Sequence, residues 1–600
     1  MIETLANFSP AVIFIGAALC VPLVPRRIRN IFVILVPLFA LFVLTHLSVG
    51  MVETMSFLDM QLTPVRVDKL SKAFGLIFCI SATAAFIYGY YEKKAVEHTS
   101  ALIYIGSALG VVFSGDLLTL YFFWEMMAVA STFLILASRT TASLAAAKRY
   151  ILIHILGGVI LLAGIVLQYQ STGMLQFNHF SEQTLATCLI AIGFLINAAA
   201  LPFSSWLPDA YPEATVMGGV VLSAYTSKTA VYALLRGFTG WDILIGLGAA
   251  MALYGVIYAL LENNIRRILA YSIVNQVGFM VCAAGIGTPL AIAGAVAHAF
   301  CHIIYKSILW MSAGAVLHRT GKAELTQLGG LYKAMPITLI FAVLGALSMT
   351  APLTGGFISK SIILLAAEKQ HLFWPWLILE LGSVGVFITA GLKYIYFTFF
   401  AESKGVRTTE APKTMLLGML ILSTVSIYLG CFPERLYTIL PYAEIVKEKV
   451  SYSFHAVYID HVAHVITKLQ ILLFSTLAFF IGLPLIKRST KISVDLDVMY
   501  RKGATVFYIV IDWTLNTLNR VAGWFCVDWG VSKLAVFLKD APANLVILCL
   551  KPVWLLTERS EDTQASLAKN LRETIALSTS PIGYSAVFSL VFLLALLYFS

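Results

Sequence analysis

Leu120-Tyr121-Phe122-Phe123-Trp124-Glu125-Met126-Met127 lies inside an apolar run that extends from Leu117 to Ala137. A run of that length matches the roughly 20 residues that a helix needs to cross a bilayer. Glu125 is costly there. An ionisable group at mid-membrane costs at least about 2.5 kcal/mol on insertion scales, so such groups normally face a bundle interior or a watery path. The pattern recurs through the stretch from Asp116 to Arg236, with His154 inside the next apolar run, Asn197 and Pro202 inside a third, and Lys228 inside a fourth. The first expectation is movement of ions or protons.

The remaining sequence has the same texture. Of 600 residues, 59% are hydrophobic and only 12% charged, more apolar sequence than a soluble domain needs. This predicts an all-α polytopic membrane protein. Continuous apolar runs without a ten-residue alternation argue against a barrel. The eight cysteines are scattered and form no CxxC, so neither a disulfide framework nor a cysteine-rich metal site is indicated. The formal charge of +10 does not point to nucleic acid, because the basic residues sit mostly in short loops between apolar runs, where topology demands them.

About 14 core spans are expected, the first over Ser9 to Val24 and the last over Leu469 to Leu485. The first run has weak signal-peptide features, but its cationic residues follow the apolar core, so a retained helix is expected. Arg26, Arg27 and Arg29, then Lys93 and Lys94, then Arg139, Lys148 and Arg149 occupy alternate loops, and Arg266, Arg267, Arg319, Lys322, Lys333, Lys487 and Arg488 continue the alternation. The loop with Arg66, Lys69 and Lys72 breaks it. The bias makes these loops cytoplasmic and the N-terminus external. Leu353-Thr354-Gly355-Gly356-Phe357-Ile358-Ser359-Lys360 reads as a re-entry after an unwound segment. In the tail, Asp495 to Ala541 reads as an interfacial amphipathic helix or weak span. Leu545 to Leu555 is short for a crossing, Thr557 to Leu571 reads as a loop or linker, and Ala586 to Phe599 as one last membrane helix.

Each buried polar residue carries two readings. Glu125 is either a proton-accepting carboxylate, switchable because burial and a neighbouring cation act on it in opposite senses, or a structural tether between helices. Lys228 either pairs with Glu125 or relays a proton; snorkelling is weakened by its depth in the run. His298, His302 and Lys306 share one helical face at i,i+4 spacing, which suits a proton relay, interhelical hydrogen bonding, or a metal for which no third ligand is evident. Lys393 lies seven residues before the end of its run, where snorkelling competes. His154 is a relay group or an interhelical hydrogen-bonding group. Pro202 and Pro352 mark helix breaks, whose freed backbone groups are tolerated only against protein or a cavity.

Four ordered motifs then carry a resemblance over about Thr99 to Phe400. Phe123-Trp124-Glu125, Leu201-Pro202-Phe203-Ser204-Ser205-Trp206-Leu207-Pro208-Asp209-Ala210, Asn264-Ile265-Arg266-Arg267-Ile268-Leu269-Ala270-Tyr271-Ser272, and His298-x3-His302-x3-Lys306 resemble the proton-translocating membrane subunits shared by respiratory complex I and Mrp-type cation/proton antiporters. The segment Lys228 to Arg236 is most similar to the D-type branch of the Mrp subunits. The resemblance implies fourteen core helices with two inverted five-helix repeats, each containing a broken helix. On it, the chain divides into N-terminal membrane helices (1–98), two antiporter-like repeats (99–236 and 237–400), C-terminal core helices (401–490) and a helical extension (491–600). It also implies Glu125 as the carboxylate of the fifth helix, Lys228 as the eighth-helix lysine, His302 and Lys306 as the central relay, and Lys393 as the terminal ionisable group on the second broken helix. Partners would be other membrane subunits of an antiporter-type assembly in a bacterial plasma membrane, with protons and Na+ as cargo.

One departure matters. Five residues before Pro202 the family pattern has lysine, and this chain has Asn197, which cannot change charge. The sequence thus predicts a proton-conducting subunit of a Na+/H+ antiporter. The alternatives are a subunit of a complex I-like, hydrogenase-like or inorganic-carbon-uptake pump, and a structural subunit lacking proton flux. No phosphate-binding glycine loop, nucleophile–base arrangement or cofactor motif is present, so a transporter subunit without catalytic chemistry or cofactor is expected.

Overall fold

Polar side chains at the ends of the apolar runs fix where the helices begin. A computed structural model describes residues 9–57, 60–450, 453–484, 486, 495–578, 586–587 and 589–594. It comprises two compact units, Met1–Asp497 and Val498–Ser600. The chain is an all-α polytopic membrane protein. Among the described residues, 12 helices are long and apolar enough to cross a membrane. The predicted Lys487-Arg488 loop lies outside the described residues, and of the helix expected over 586–599, residues 586–587 and 589–594 are described and helical.

The first unit opens with α1 (Pro10–Cys20) and α2 (Arg26–His46). The polar segment that follows forms a two-stranded antiparallel hairpin, β1 (Val52–Phe57) with β2 (Met60–Arg66), which sequence reading left unassigned. Then come α3 (Lys69–Tyr88), α4 (Ala95–Phe113), α5 (Leu117–Leu136) and α6 (Thr141–Thr172). Buried Asp116 caps α5, with Oδ1 accepting from the Thr119 amide at 2.7 Å. Its Oδ2 accepts from the Thr63 amide at 2.7 Å, so the same carboxylate anchors the hairpin.

The first interruption follows α7 (Leu185–Asn197): residues 198–205, including Pro202, are not helical, and α8 (Trp206–Ala210) resumes for barely a turn. A second break at Tyr225 separates α9 (Val216–Ala224) from α10 (Thr226–Gly237). Carbonyls freed at membrane depth need donors. Trp206 Nε1 donates to the Ile196 carbonyl at 2.9 Å. Arg266 Nη1 reaches the Pro212 and Ala214 carbonyls at 2.8 Å each, and Nη2 the Thr215 carbonyl at 3.0 Å. Arg266 therefore latches the irregular segment, which accounts for a buried arginine that forms no ion pair among the described residues.

Helices α11 (Ile243–Leu261), α12 (Ile265–Ile286) and α13 (Pro289–Thr320) follow. The most apolar stretches of α12 and α13 are buried all round, as the central helices of a bundle are. A further break, residues 348–354 with Pro352, separates α14 (Pro336–Leu347) from α15 (Gly355–Lys369). A Cβ at Gly356 would stand 2.2 Å from the Ser348 carbonyl oxygen, so only glycine lets the start of α15 fold back onto the break. Helix α16 (Phe373–Val386) continues into π-helical turns over Phe387–Lys393 and Tyr396–Phe400. The unit is completed by α17 (Lys413–Cys431), the short α18 (Pro433–Tyr437) and α19 (Ala443–Lys449), a π-helical turn over His455–Asp460, and α20 (Val462–Gly482).

The second unit contains α21 (Asp497–Gly523), a π-helical stretch Trp524–Val531, α22 (Ser532–Lys539), α23 (Ala541–Leu556) and α24 (Glu561–Ser578). Helix α24 corrects the loop expected over Thr557 to Leu571. Its polarity reflects an exposed helix built from good helix formers, with Glu561 and Asp562 placed favourably in the first turn.

Glycines set the spacing of α11 and α12. A Cβ at Gly248 would lie 2.3 Å from the Cys282 amide nitrogen, and one at Gly278 would lie 2.5 Å from the Gly248 carbonyl oxygen, the close backbone approach typical of membrane interfaces. Gly248→Leu is expected to destabilise the protein by about 1–3 kcal/mol through overpacking. Thermal unfolding of detergent-purified protein, followed by size-exclusion fluorescence, checks this; an unchanged midpoint would show that the helices separate freely.

Candidate functional site

The fully buried centre of α13 carries His298, His302 and Lys306 on one face. Lys306 Nζ donates to Ser272 Oγ of α12. Tyr305 OH donates to Gln276 Oε1 at 2.8 Å, and Gln276 Nε2 in turn donates to Asn275 Oδ1. His298 Nδ1 lies 3.1 Å from Ser359 Oγ at the start of α15. The two imidazoles have centroids 6.0 Å apart, and neither nitrogen of His302 has a hydrogen-bond partner among the described residues.

Lys228 joins this cluster from α10. It is fully buried, and its Nζ donates to the Ser223 carbonyl at 2.6 Å, across the break at Tyr225, and to Ser227 Oγ at 3.2 Å. Helix α10 packs against α13, the helix that carries the row. No ion pair between Lys228 and Glu125 occurs among the described residues. The break turns the lysine towards α13 instead.

Lys360 was not singled out from sequence, although it stands inside an apolar run as Lys228 does. Buried on α15, it donates from Nζ to Ser383 Oγ at 3.2 Å and lies 5.5 Å from the ring centroid of Phe279. The second broken helix is α14–α15, so its lysine is Lys360. Lys393 lies on the following helix, and the expected placement on the broken helix is corrected accordingly. Its Nζ donates to the Leu260 carbonyl at 2.7 Å and to the Ala259 and Glu262 carbonyls, so it caps the C-terminal end of α11. It does not join the row on α13. Glu380 of α16 pairs with Lys468 of α20, a contact that separate apolar runs could not reveal.

In the first half, Glu125 packs over α6. A Cβ at Gly158 would stand 1.9 Å from Glu125 Oε1, and one at Gly157 would stand 3.2 Å from Ile196 Cγ2. The glycine pair is thus the seat of the carboxylate and of α7. One turn earlier on the same face, His154 stacks on Tyr150 at 4.0 Å, meets Trp206 edge-on at 4.7 Å, and uses Nδ1 towards the Tyr150 carbonyl at 2.9 Å. The side-chain amide of Asn197 is buried, and neither its nitrogen nor its oxygen has a protein partner among the described residues. The structure therefore gathers Glu125, His154 and Asn197 around α6 and α7, apart from the row on α13.

The arrangement is that of a membrane core with ionisable side chains threaded between broken helices. Residues 114–389 match the family model described as NADH:quinone oxidoreductase/Mrp antiporter, TM. The chain is 30% identical over 429 residues to the A-type subunit of a Na(+)/H(+) antiporter of Alkalihalophilus pseudofirmus, covering 63% of this chain and 53% of the relative. It is 30% identical over 466 residues to the A1-type subunit of a Na(+)/H(+) antiporter of Staphylococcus aureus, covering 69% and 57%. A probable K(+)/H(+) antiporter protein of Rhizobium meliloti, of the combined A/B type, is 30% identical over 408 residues, covering 62% and 40%. The chain thus spans about half the length of the first two relatives.

Three solved structures share the fold. A chain of the Mrp complex from a Dietzia species superposes with a TM-score of 0.66 at 21% identity, covering 76% of this chain and 99% of that one. A chain of an archaeal membrane-bound sulfane sulfur reductase gives 0.69 at 22%, covering 90% and 100%. A chain of respiratory complex I from Thermus thermophilus gives 0.66 at 20%, covering 74% and 99%.

Gly158→Ala is expected to force the Glu125 carboxylate away from α6 and to destabilise the detergent-purified protein by about 1–3 kcal/mol, whereas Glu125→Gln, of the same shape, should leave the thermal midpoint near native. A Gly158→Ala midpoint equal to native would show that the carboxylate relocates without cost.

Proposed function

We propose that the chain is a proton-conducting, antiporter-like subunit of a multi-subunit Mrp-type assembly in the bacterial plasma membrane. The two repeats, 99–236 and 237–400, would each contribute half of the path. The observation that carries this reading is the buried row Lys228, His302, Lys306, His298 and Lys360, set between helices broken at Tyr225 and at 348–354. Buried polar groups are satisfied by protein or by ordered water. The imidazole of His302 and the amide of Asn197 lack protein partners among the described residues, so hydrating water is the partner their chemistry calls for.

Protons move along such a row when each group takes a proton on one side and releases it on the other through intervening water. Histidine changes charge near neutrality, and a buried lysine does so readily. Glu125, His154 and Asn197 form the entrance in the first half. Asn197 serves there by hydrogen bonding, and Lys228 supplies the switchable charge. Lys393 holds α11 in place instead of relaying protons.

We assign the chain to the D-type branch from the Lys228 to Arg236 segment, whereas the curated relatives reported above bear A-type names. Their names also differ in the cation, Na(+) or K(+). Partners are the remaining membrane subunits of the assembly.

Proton flux driven by an imposed Na+ or K+ gradient, measured in vesicles carrying the intact complex, tests the reading. Lys306→Ala and Lys228→Ala should each slow coupled flux by about 10²-fold, the scale of losing a positioned acid–base group. Glu125→Gln should slow it comparably if the first half conducts. Native flux in all three variants would reduce the row to a structural device.

A further inference from the structure

A route leads from the row to the outside, and it rests on the proton-conducting reading above. Lys360 shares a cavity of about 30 Å³ with Ser383, Ser361, Glu380 and Lys468. That volume admits a water, which needs about 10–15 Å³, and the lining supplies the polar partners a water requires. Beyond it, the same Ser361, Glu380 and Lys468 line a recess of about 1020 Å³. The outer wall of the recess includes Glu368, His461 and His464, all exposed. Such a density of ionisable groups belongs to water or headgroups and not to hydrocarbon.

Between the small cavity and the recess stands one ion pair. Glu380 and Lys468 are joined through Oε1 and Nζ, with side chains only 17% and 16% exposed. Ser361 Oγ lies 3.3 Å from His464 Nε2 on the recess side. The titratable and charged groups around the pair are Lys360 on α15, His464 on α20 and, along the wall of the recess, Glu368 and Lys369 of α15, Lys447, Glu448 and Lys449 of α19, and His461. On the recess side, the Glu380 carboxylate lines the same small cavity as Lys360 and can accept a proton from it through a water.

We propose that the Glu380–Lys468 pair is the gate through which protons pass between Lys360 and the outer recess. The Lys360 ammonium gives a proton, through one water, to a Glu380 carboxylate oxygen. Lys360 becomes a neutral amine and Glu380 a neutral acid. Loss of the negative charge releases the Lys468 ammonium, which keeps its own protons and turns towards the recess. The acid then gives its proton to water in the recess, and the restored carboxylate recaptures Lys468 and closes the gate. One full cycle moves one proton outward and restores the pair, and the neutral Lys360 amine regains a proton from the row on α13 before the next.

Glu380 and Lys468 play unequal parts in this scheme, whereas a structural tether would need both equally. In vesicles carrying the intact complex, with flux normalised to assembled complex, Glu380→Gln should lower cation-driven proton flux at least tenfold, and Glu380→Asp should restore it to within a few fold of native. Lys468→Met leaves the acceptor but removes its latch, so proton leak without a cation gradient should rise above native. Glu380→Gln within twofold of native, or parallel losses of flux in Glu380→Gln and Lys468→Met without any leak, would overturn the gate. A native complex with no cation-driven proton flux would instead remove the proton-conducting reading itself.

Discussion

A buried ammonium group must find oxygen. Lys228, Lys306 and Lys360 meet that demand with serine hydroxyls and a single backbone carbonyl, and none forms an ion pair among the described residues. Neutral oxygens solvate a charge less fully than a carboxylate does, and the three cations repel one another across a medium of low dielectric. Such lysines are held in place while their charge is only partly compensated. The surrounding core is built to keep them so: α12 and α13 are buried all round, and each of the three lysines comes from a different helix. Spreading them over α10, α13 and α15 limits the repulsion.

The helix breaks follow from the same constraint. An uninterrupted helix consumes its own carbonyls, so a buried ammonium beside it would have only side chains to bind. At Tyr225 the chain kinks, and the Ser223 carbonyl becomes available to Lys228. The cost of irregular backbone is offset by donors supplied from elsewhere. Arg266 serves the segment around Pro212 to Thr215, and Tyr458 bridges the second break by accepting from the Leu353 amide at 3.1 Å and donating to the Gly430 carbonyl at 2.9 Å. Buried cations are therefore used in two ways here. Arg266 and Lys393 bond several carbonyls each and act as latches, while the lysines of the row bond one or two oxygens and stay responsive.

The two halves of the core are unequal. In the first, the carboxylate of Glu125 rests on a glycine pair against which α7, the helix of Asn197, also packs, and no lysine pairs with it among the described residues. In the second, lysine follows lysine from the middle of α13 to the start of α15 and on towards a carboxylate–ammonium pair at the edge. Asn197 can orient water by hydrogen bonding but cannot carry charge, so the ionisable row of the core runs from Lys228 onwards.

The helical membrane fold and the rough position of nearly every span were legible in the sequence, because apolar length and helix-breaking residues are local properties. Glu125, Lys228, His302 and Lys306 were legible for the same reason: a charge inside an apolar run is costly wherever its partner lies. The hairpin after α2 and the exposed α24 escaped because polar segments lack that signature and their state depends on caps and neighbours. Which lysine matters, and to whom, was a matter of tertiary structure. Lys360 and Lys393 look alike along the chain, yet the fold leaves the first with one serine hydroxyl and seats the second on the carbonyls at the end of α11. Lys228 faces α13 and not Glu125 because the kink at Tyr225 turns it there, and Glu380 meets Lys468 only because α16 and α20 pack side by side. Sequence determines the cost of a buried charge, which is set by its chemistry, whereas the group that compensates it comes from another helix and is set only when the helices pack.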